Sequence, residues 1–388
     1  MRIILILIAL GALIGLFVNA GHKLFLWFRP IFSGVGPVAF GISYGIMVAA
    51  VLILFVLSRI PDSPIPRTVF LIDHYALGVI VLLMLLVNLT NLALLLARLC
   101  HIIPTPLPQK AAITAGAAAV VLSVALSVYG GIHASKVQTV NYKIQIQEGN
   151  GDTDAMNIVL ISDLHIGYVV DEKHVEKIVA AVNAEEPDLV CIAGDMFDGD
   201  ITAVKNPSVL QESFRSIKAP YGVYACLGNH DAGAGYEDML KFLEKAQVHL
   251  LQDESVLIAN KLILAGRKDS GPIGGQGEAR RELAEEAGME HLPRIVLDHR
   301  PENIGSYNKS TDLILSGHTH RGQMFPFNLV TGIMLDMNYG YYRLGEEGPQ
   351  AVVTSGAGTW GPPQRVGTDN EIAVIQVLLP AAEDGSRD

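Results

Sequence analysis

The sequence contains little cysteine, with three residues in a chain of 388. No Cys-x-x-Cys pair and no zinc-finger spacing occurs, which excludes a disulfide scaffold and a thiolate metal site. Cys100 ends a long apolar run, whereas Cys191 and Cys226 lie inside short ones. We therefore predict free, mostly buried thiols, and the cysteines leave the compartment undetermined.

Charged residues are also scarce, and they are unevenly distributed. Only 17% of the chain is Asp, Glu, Lys or Arg. Residues 1–138 hold eight basic and two acidic residues, a net charge of +6, so the remaining 20 basic and 37 acidic residues give 139–388 a net charge of −17. A region this acidic is repelled by nucleic acid. We predict no nucleic-acid partner.

Long uncharged stretches fill the first third of the chain. Four of them, near 3–20, 37–58, 70–97 and 111–132, reach the length of about 20 apolar residues that crosses a bilayer. Arg2 and the segment Val18-Asn19-Ala20 also resemble a cleaved signal peptide, but three further spans favour a retained first helix. We predict a four-helix transmembrane domain over 1–135 and a multi-pass cell-membrane protein.

Small and polar residues within these spans predict a packed bundle. The fourth span is rich in Gly, Ala and Ser, which allow close helix approach in lipid. Asn88, Thr90 and Asn91 lie deep in the third span. We expect interhelical hydrogen bonds from them, the alternative being contact with a lipid head group or polar ligand. Basic residues flanking the spans lean only weakly towards a cytoplasmic C-terminal half, so the side stays open.

The second part of the chain shows apolar runs that each end in polar side chains. After the alternating segment 140–147, five such runs are "MNIVLISDLH", "DLVCIAGD", "GVYACLGNHD", "RIVLDH" and "DLILSGHTH". Continuous apolar runs predict strands that are buried on both faces. Helical spacing of apolar residues after Asp171, and again around Met239, places helices between strands. The alternation predicts a layered α/β domain.

The polar residues at these strand ends are predicted to form one metal-binding crevice, because ligands bind beyond the carboxyl ends of strands in such folds. Two metal ions that share Asp195 as a bridging ligand would use all of these donors. The donor atoms are oxygen and nitrogen, with no sulfur, which suits Mn, Fe, Zn, Co or Ni. The seven donors are Asp163, His165, Asp195, Asn229, His299, His318 and His320. By contrast, His174 and His249 are predicted to be ordinary structural or surface residues. The charge run 278–286 is predicted as the exposed face of a helix.

The order of these motifs resembles the calcineurin-like metallophosphoesterase superfamily. Its blocks D-x-H, G-D, G-N-H-D/E, a lone His and G-H-x-H match over roughly 155–375, and the segment "SGAGTWGPPQRVGT" resembles a subgroup joined to transmembrane helices. The resemblance implies a metallophosphoesterase domain over 136–388, built as a β-sandwich flanked by helices.

The resemblance also implies a role for each site residue. The first ion would take Asp163, His165, Asp195 and His320, and the second Asp195, Asn229, His299 and His318. A metal-activated hydroxide would attack phosphorus in line, with His230 as the acid near the leaving group and Asp231 orienting it.

The resulting expectation is a membrane-bound metal-dependent phosphoric ester hydrolase that cleaves a phosphodiester or pyrophosphate bond. Four helices exceed the needs of a tether, so we expect a lipid or lipid-linked substrate and contact with membrane lipid. The alternatives are a soluble phosphorylated small molecule or phosphoprotein as substrate, and a non-enzymatic membrane protein with a metal-binding domain. Arg267, Lys268, Arg321 and Arg365 are possible phosphate contacts, although an ordinary surface or structural charge is the favoured alternative for each. The Gly-rich segment 267–277 is predicted to cover the site. The oligomeric state stays open.

Overall fold

The chain forms two compact units in a computed structural model that describes residues 2–60, 63–146, 153–284, 288–289, 291–346 and 348–380. The first unit comprises Met1–Ser58, Thr68–Ile132 and Gly361–Gln364, and the second comprises Arg59–Arg67, His133–Trp360 and Arg365–Asp388. The short segment 59–67 therefore belongs with the second unit although it joins two helices of the first. The predicted domain boundary at 135/136 stays a prediction.

Among its described residues, the first unit contains four helices that are long and apolar enough to cross a membrane, as predicted. Their outward faces carry exposed Leu, Ile and Val side chains, whereas Met84, Val87 and Ala119 are among the buried residues. This distribution suits a lipid surround, which accepts apolar side chains on the outside of a bundle. The helices are α1 (Arg2–Trp27), α2 (Pro37–Leu57), α3 (Arg67–Leu99) and α4 (Gln109–Ala134).

Asn88 of α3 makes the interhelical hydrogen bonds expected of a polar residue within a span. Its side-chain oxygen accepts from the Asn19 side chain at 2.8 Å, and its side-chain nitrogen donates to the Leu16 carbonyl at 3.0 Å. Close packing at small residues is also found, since a Cβ added at Gly116 would lie 3.0 Å from the Phe28 ring. Both observations confirm a packed bundle.

The described part of the second unit is built on two six-stranded sheets. The first sheet has the order β1-β12-β2-β3-β4-β5 and the second the order β10-β11-β9-β8-β7-β6. The strands are β1 (Val137–Gln145), β2 (Thr153–Ile161), β3 (Leu189–Ala193), β4 (Val223–Cys226), β5 (His249–Leu250), β6 (Glu254–Ile258), β7 (Leu262–Gly266), β8 (Arg294–Leu297), β9 (Leu313–Ser316), β10 (Gly340–Arg343), β11 (Gln350–Val353) and β12 (Asn370–Pro380).

Within the described residues, four α-helices complete this unit: α5 (Glu172–Ala184), α6 (Pro207–Arg215), α7 (Tyr236–Lys245) and α8 (Phe327–Met334). The Asp171 side chain caps α5 by accepting from the His174 backbone N–H, as the sequence predicts. Helix α5 buries its apolar stripe, which comprises Val175, Ile178, Val179 and Val182.

Strand β2 shows why its apolar run is uninterrupted. Ile158 and Leu160 pack in the core between the sheets, whereas Val159 and Ile161 pack in the core beneath α5, α6 and α7. Both faces of the strand are therefore buried, and each such side chain stabilises the fold by about 1.5–3 kcal/mol.

The strand directions gather the predicted ligands at one edge. Strands β2, β3 and β4 run parallel in the first sheet, and β8 and β9 run parallel in the second. Since these five strands each precede a ligand motif, their carboxyl ends bring the motifs together. The predicted β-sandwich flanked by helices is confirmed.

The charge run is not a helix over its described part, residues 278–284, and that prediction is wrong. Backbone carbonyls that a helix would use accept from side chains instead: Lys268 donates to the Glu278 carbonyl and Arg267 to the Arg281 carbonyl. Arg280 is also drawn to the buried carboxylate of Asp298. Tertiary pairing of individual charges thus overrides the local helical preference.

Candidate metal centre

One cluster of donor atoms forms where β2 and β9 end. Asp163 and His165 follow β2, and His320 follows β9. The Nε2 atoms of His165 and His320 lie 3.0 Å apart, and Asp163 Oδ1 lies 3.5 Å from His320 Nε2. All three side chains are buried and can direct one ligand atom each to a common point.

A second cluster forms where β3, β8 and β9 end. His299 Nε2 lies 3.2 Å from Asp195 Oδ2 and 3.2 Å from His318 Nδ1. These three residues again offer ligand atoms to a common point.

Asp195 lies between the two clusters. Its Oδ2 atom is 3.2 Å from His299 Nε2 and 3.6 Å from His165 Nε2, while Oδ1 accepts from the His230 backbone N–H at 2.8 Å. Burial by itself raises the pKa of Asp195, but the facing histidines hold that pKa well below its ordinary value. A buried, ionised carboxylate that borders both clusters has the position of a bridging ligand.

Asn229 supplies the remaining predicted donor. It follows β4 and is buried, and its Oδ1 atom has no hydrogen-bond partner within the described residues. A buried acceptor without a donor is costly unless something else satisfies it. Together with converging imidazole nitrogens and carboxylates, this oxygen fits a divalent cation.

A hydrogen bond in one case and an ion pair in the other, both outside the clusters, fix how two of the histidines present their nitrogens. His299 Nδ1 lies 2.8 Å from the Ala193 carbonyl, so this nitrogen carries the proton and Nε2 is left to bind a metal. His165 Nδ1 lies 3.4 Å from Asp198 Oδ1, which directs its Nε2 into the first cluster in the same way.

The backbone at the site is held in an unusual conformation. Five of the predicted ligands have positive φ angles, a state that costs about 1–3 kcal/mol per residue and recurs at functional sites. They are Asp163 (53°), His165 (48°), Asp195 (51°), His318 (72°) and His320 (48°). Glycines allow the close approaches this requires: a Cβ added at Gly228 would lie 2.1 Å from Asp195 Oδ1.

His230 lies beside the first cluster, with its ring centroid 5.1 Å from that of His165. Burial foremost, with His165 and Arg59, lowers its pKa to about 4 against the opposing effect of Asp195 and Asp198. The ring is therefore neutral near pH 7 in this structure. Donation of a proton from it requires a bound negative charge that raises this pKa.

The Asp231 side chain binds backbone N–H groups of two loops. Its carboxylate accepts from the backbone N–H groups of Met196 (3.1 Å), Phe197 (2.9 Å) and Gly228 (3.0 Å). It thus joins the loop after β3 to the loop after β4 and fixes the backbone at His230. Through this backbone Asp231 can orient His230, and that role stays a prediction.

The sequence reasoning missed Asp198 and Arg59. Asp198 groups with His165 and His230, and Arg59 forms an ion pair with its carboxylate and donates to its carbonyl at 3.3 Å. Burial by itself raises the pKa of Asp198, but the opposing effect of Arg59 and His165 is larger, and the pKa falls to about 2. An acidic residue three positions after Asp195 was an available signal. Arg59 lies 139 residues from its partner, and nothing local marks it.

The basic residues proposed as phosphate contacts are mostly structural. Arg365 is fully buried and donates to the carbonyls of His320, Ser355 and Gly358. Arg267 and Lys268 are buried and bound to carbonyls, as described above. For these three the favoured alternative, a structural charge, is confirmed, because their guanidinium and ammonium groups donate to backbone carbonyls.

Two other arginines lie nearer the solvent side. Arg321 stacks over the Tyr339 ring at 4.2 Å, and its role as a phosphate contact stays a prediction. Arg300, which sequence reasoning did not single out, has Nη1 3.4 Å from His318 Nε2 and is held by both oxygens of Asp269 at 2.9 Å. Its place directly after His299 was the missed signal.

The Gly-rich segment 267–277 borders the site. Gln276 Nε2 donates to the carbonyls of Gly228 (2.7 Å) and Asp231 (3.1 Å), and the Ile273 N–H donates to the Asn229 carbonyl at 3.0 Å. The segment therefore packs along the turn that carries Asn229 and His230, in agreement with the expected covering loop.

Comparison with known proteins agrees with this geometry. A family model described as calcineurin-like phosphoesterase matches residues 156–322. An uncharacterized metallophosphoesterase from Helicobacter pylori is 34% identical, with the match covering 58% of this chain and 60% of that protein. One from Aquifex aeolicus is 30% identical over 66% of this chain and 97% of that protein.

A further relative, from Danio rerio, is named a transmembrane protein with metallophosphoesterase domain; it is 28% identical over 66% of this chain and 61% of that protein. This chain therefore spans about three fifths of the length of the Helicobacter pylori and Danio rerio relatives. The motif order, the strand-end geometry and the near-complete match to the Aquifex aeolicus relative place this chain in the calcineurin-like metallophosphoesterase family.

Proposed function

We propose that this chain is a membrane-attached, metal-dependent phosphoric ester hydrolase that uses two divalent ions to cleave a phosphodiester or pyrophosphate bond. The observation that carries the proposal is the position of Asp195, whose Oδ2 atom lies within 3.6 Å of one histidine in each cluster. A single carboxylate between two sets of neutral and anionic donors is what a pair of cations requires.

Some residues of the chain would bind the metal ions, and another would transfer a proton. Two divalent cations, when bound, supply the positive charge that orients phosphoryl oxygens and lowers the pKa of water. Asp163, His165 and His320 would hold one of them, and Asn229, His299 and His318 the other, with Asp195 shared. His230 stands at the rim of the first cluster, where it can hydrogen-bond to or protonate a leaving oxygen.

The membrane-spanning helices favour a lipid or lipid-linked substrate. One helix suffices to anchor a domain, whereas this chain has four that are long and apolar enough to cross a bilayer. The Danio rerio relative is also named a transmembrane protein. We therefore propose that the phosphoryl group is attached to a molecule that resides in the bilayer, and that membrane lipid surrounds the first unit.

The test is a metal-reconstitution assay on the full-length protein in lipid vesicles. The metal-stripped protein is loaded in turn with Mn, Fe, Zn, Co or Ni and offered bis(p-nitrophenyl) phosphate, a nucleotide pyrophosphate, a phosphopeptide and a lipid pyrophosphate. We expect hydrolysis that depends on the metal and is fastest with the lipid pyrophosphate. Turnover of soluble esters alone would remove the lipid part of the proposal.

A result without any turnover would overturn the enzymatic proposal itself. Bound metal in the absence of hydrolysis of all four compounds would favour a binding or signalling role for the site. His249→Gln serves as the control variant outside the site, because His249 is exposed in β5 and stacks on Tyr224.

A further inference from the structure

Helix α8 presents an apolar surface to its surroundings. Ile333 is 87% exposed and Met334 75% exposed, and Leu329, Val330 and the preceding Phe325 are exposed as well. No residue of this helix is buried. Exposed apolar side chains are common singly, but five of them within ten residues form a patch that marks an interaction surface.

The sequence of this helix lacks the charges of a water-facing helix. Residues 324–335, "MFPFNLVTGIML", contain no Asp, Glu, Lys or Arg. Leu329 and Ile333 stand four residues apart, as do Val330 and Met334, so the four side chains share one face. A surface helix in water normally carries polar residues on its outer face; this one carries Leu, Val, Ile and Met.

The beginning of α8 is joined tightly to the metal-ligand loop. Gly322 stands two residues after His320, and a Cβ added there would lie 2.5 Å from the Asn328 backbone nitrogen. The Phe327 N–H donates to the Met324 carbonyl at 2.7 Å. The helix therefore has little freedom to move independently of the loop that carries His318 and His320.

The end of α8 also leads to the site. Met334 and the residues after it line a cleft of about 250 Å³ whose opposite wall includes Pro301 and Glu302. Glu302 Oε1 lies 3.8 Å from His318 Nε2. An apolar surface thus adjoins a cleft that runs alongside a predicted metal ligand.

The partner that fits this surface is a lipid bilayer. Only two residues separate the end of α4 at Ala134 from the start of β1 at Val137. Two residues of fully extended chain span about 7 Å. Since α4 can itself cross a membrane, this short connection keeps the start of β1 next to a bilayer. The net charge of −17 over 139–388 opposes attraction to anionic head groups, so apolar contact is the means of attachment.

We propose that Phe325 and the Leu329, Val330, Ile333 and Met334 face of α8 insert into the apolar boundary of the membrane beside the metal centre. Short amphipathic segments lie in this zone with their apolar side chains about 5–10 Å deep. The inference deepens the proposed function and rests on it in one respect, namely that a lipid-linked phosphoryl group could then reach the site without leaving the bilayer.

The test reads the position of the helix and not turnover. A nitroxide is attached at Ile333→Cys in the full-length protein with Cys100→Ser, because Cys100 is the exposed native cysteine and Cys191 and Cys226 are buried. The protein is placed in phosphatidylcholine vesicles, and collisions of the label with oxygen and with a water-soluble nickel complex are compared. Val209→Cys on α6 is the matched control, since Val209 is a large apolar residue that is also exposed.

We expect the label at 333 to collide mainly with oxygen and the label at 209 mainly with nickel, with an oxygen-to-nickel ratio at least about tenfold higher at 333. Equal ratios at the two positions would overturn the proposal. So would spin–spin coupling between labels at 333 of two copies, which would assign the face to self-association. Because neither readout uses a substrate, the proposal can fail while hydrolysis persists, and it can hold where the lipid substrate is disproved.

Discussion

At the residue scale, the metal centre depends on glycines at which any side chain would collide with a metal-binding residue. Gly317 precedes His318, and a Cβ built on it would lie 1.9 Å from Ser162 Oγ and 2.2 Å from Asp163 Oδ2. The same Asp163 carboxylate accepts from the His318 N–H at 2.9 Å. The two histidines of the G-H-x-H motif supply its chemistry, and its glycine allows the loop after β9 to approach the loop after β2.

Gly317→Ala should accordingly damage both the fold and the metal site. We expect it to lower the free energy of unfolding by about 1–3 kcal/mol, as overpacking does, and to reduce metal content. Thermal unfolding with and without added metal, together with metal analysis, measures both effects. Gly305→Ala is the control, because a Cβ there meets nothing within 4 Å. Similar behaviour of the two variants would contradict the argument.

The seven donors themselves could be chosen from the sequence, since each stands where an apolar run stops. Six of them fall into two clusters in the structure, and Asn229 adds a buried oxygen without a partner within the described residues. The candidate phosphate contacts could not be chosen in this way. A basic residue in a loop looks the same whether it faces solvent or, as Arg365 does, satisfies buried carbonyls.

At the element scale, the segment Arg59–Arg67 between α2 and α3 forms part of the second unit. The Arg59 guanidinium pairs with Asp198, whose Oδ1 lies 3.4 Å from His165 Nδ1. The Arg59 guanidinium also lies 5.7 Å from the centre of the Trp360 ring, and that ring lies 5.9 Å from the His230 ring. The segment thus supports the first cluster from outside the matched family region.

Arg59→Gln should therefore weaken the site without unfolding the chain. Loss of a supporting group of this kind costs roughly 10–100-fold in metal affinity or activity, and Arg59→Lys should recover part of it by keeping the charge. Metal titration and hydrolysis of bis(p-nitrophenyl) phosphate measure the two quantities. Arg215→Gln is the control, because Arg215 makes an ion pair with Glu212 at the surface. An Arg59→Gln protein with wild-type metal affinity would refute this role.

The segment 267–277 gives a second prediction at this scale. Gln276→Ala removes the amide that donates to the Gly228 and Asp231 carbonyls. Leaving buried carbonyls without donors costs about 1–3 kcal/mol, and the turn that carries Asn229 should loosen. We expect lower stability in chemical denaturation and a lower kcat/KM. The exposed Gln138→Ala in β1 serves for comparison, and equal stability of the two variants would count against the account.

Strands and helices of the second unit could be predicted where burial sets the pattern. The apolar runs of β2, β3, β4, β8 and β9 were found because both faces are covered, and α5 was found from its cap and stripe. The charge run was misassigned because its partners, such as Asp298 for Arg280, are set by tertiary contacts. A local pattern contains no information about those distant groups.

At the scale of the whole molecule, the first 135 residues should matter for more than attachment. A protein lacking 1–135 loses Arg59 together with Arg67, whose guanidinium donates to the Gly167 carbonyl at 2.8 Å and the Tyr168 carbonyl at 2.9 Å. We expect the shortened protein to hydrolyse even a soluble ester at least about tenfold more slowly.

The full-length double variant Arg59→Gln/Arg67→Gln separates this effect from loss of the membrane. It keeps all four helices, so a comparable fall in the rate of soluble-ester hydrolysis would assign the loss to the two arginines. A shortened protein as active on soluble esters as the full-length chain would show instead that the helices act only as an anchor.

The central claim is that Asp195 joins two metal sites, and the number of ions per chain tests it most directly. The wild-type protein, purified in membranes and analysed by mass spectrometry of its metals, should hold about two divalent ions per chain, and His249→Gln should match it. Asp195→Asn should hold fewer than one and should lose hydrolysis by roughly a thousandfold, about 4 kcal/mol of the barrier. Two ions and undiminished hydrolysis in Asp195→Asn would contradict the account.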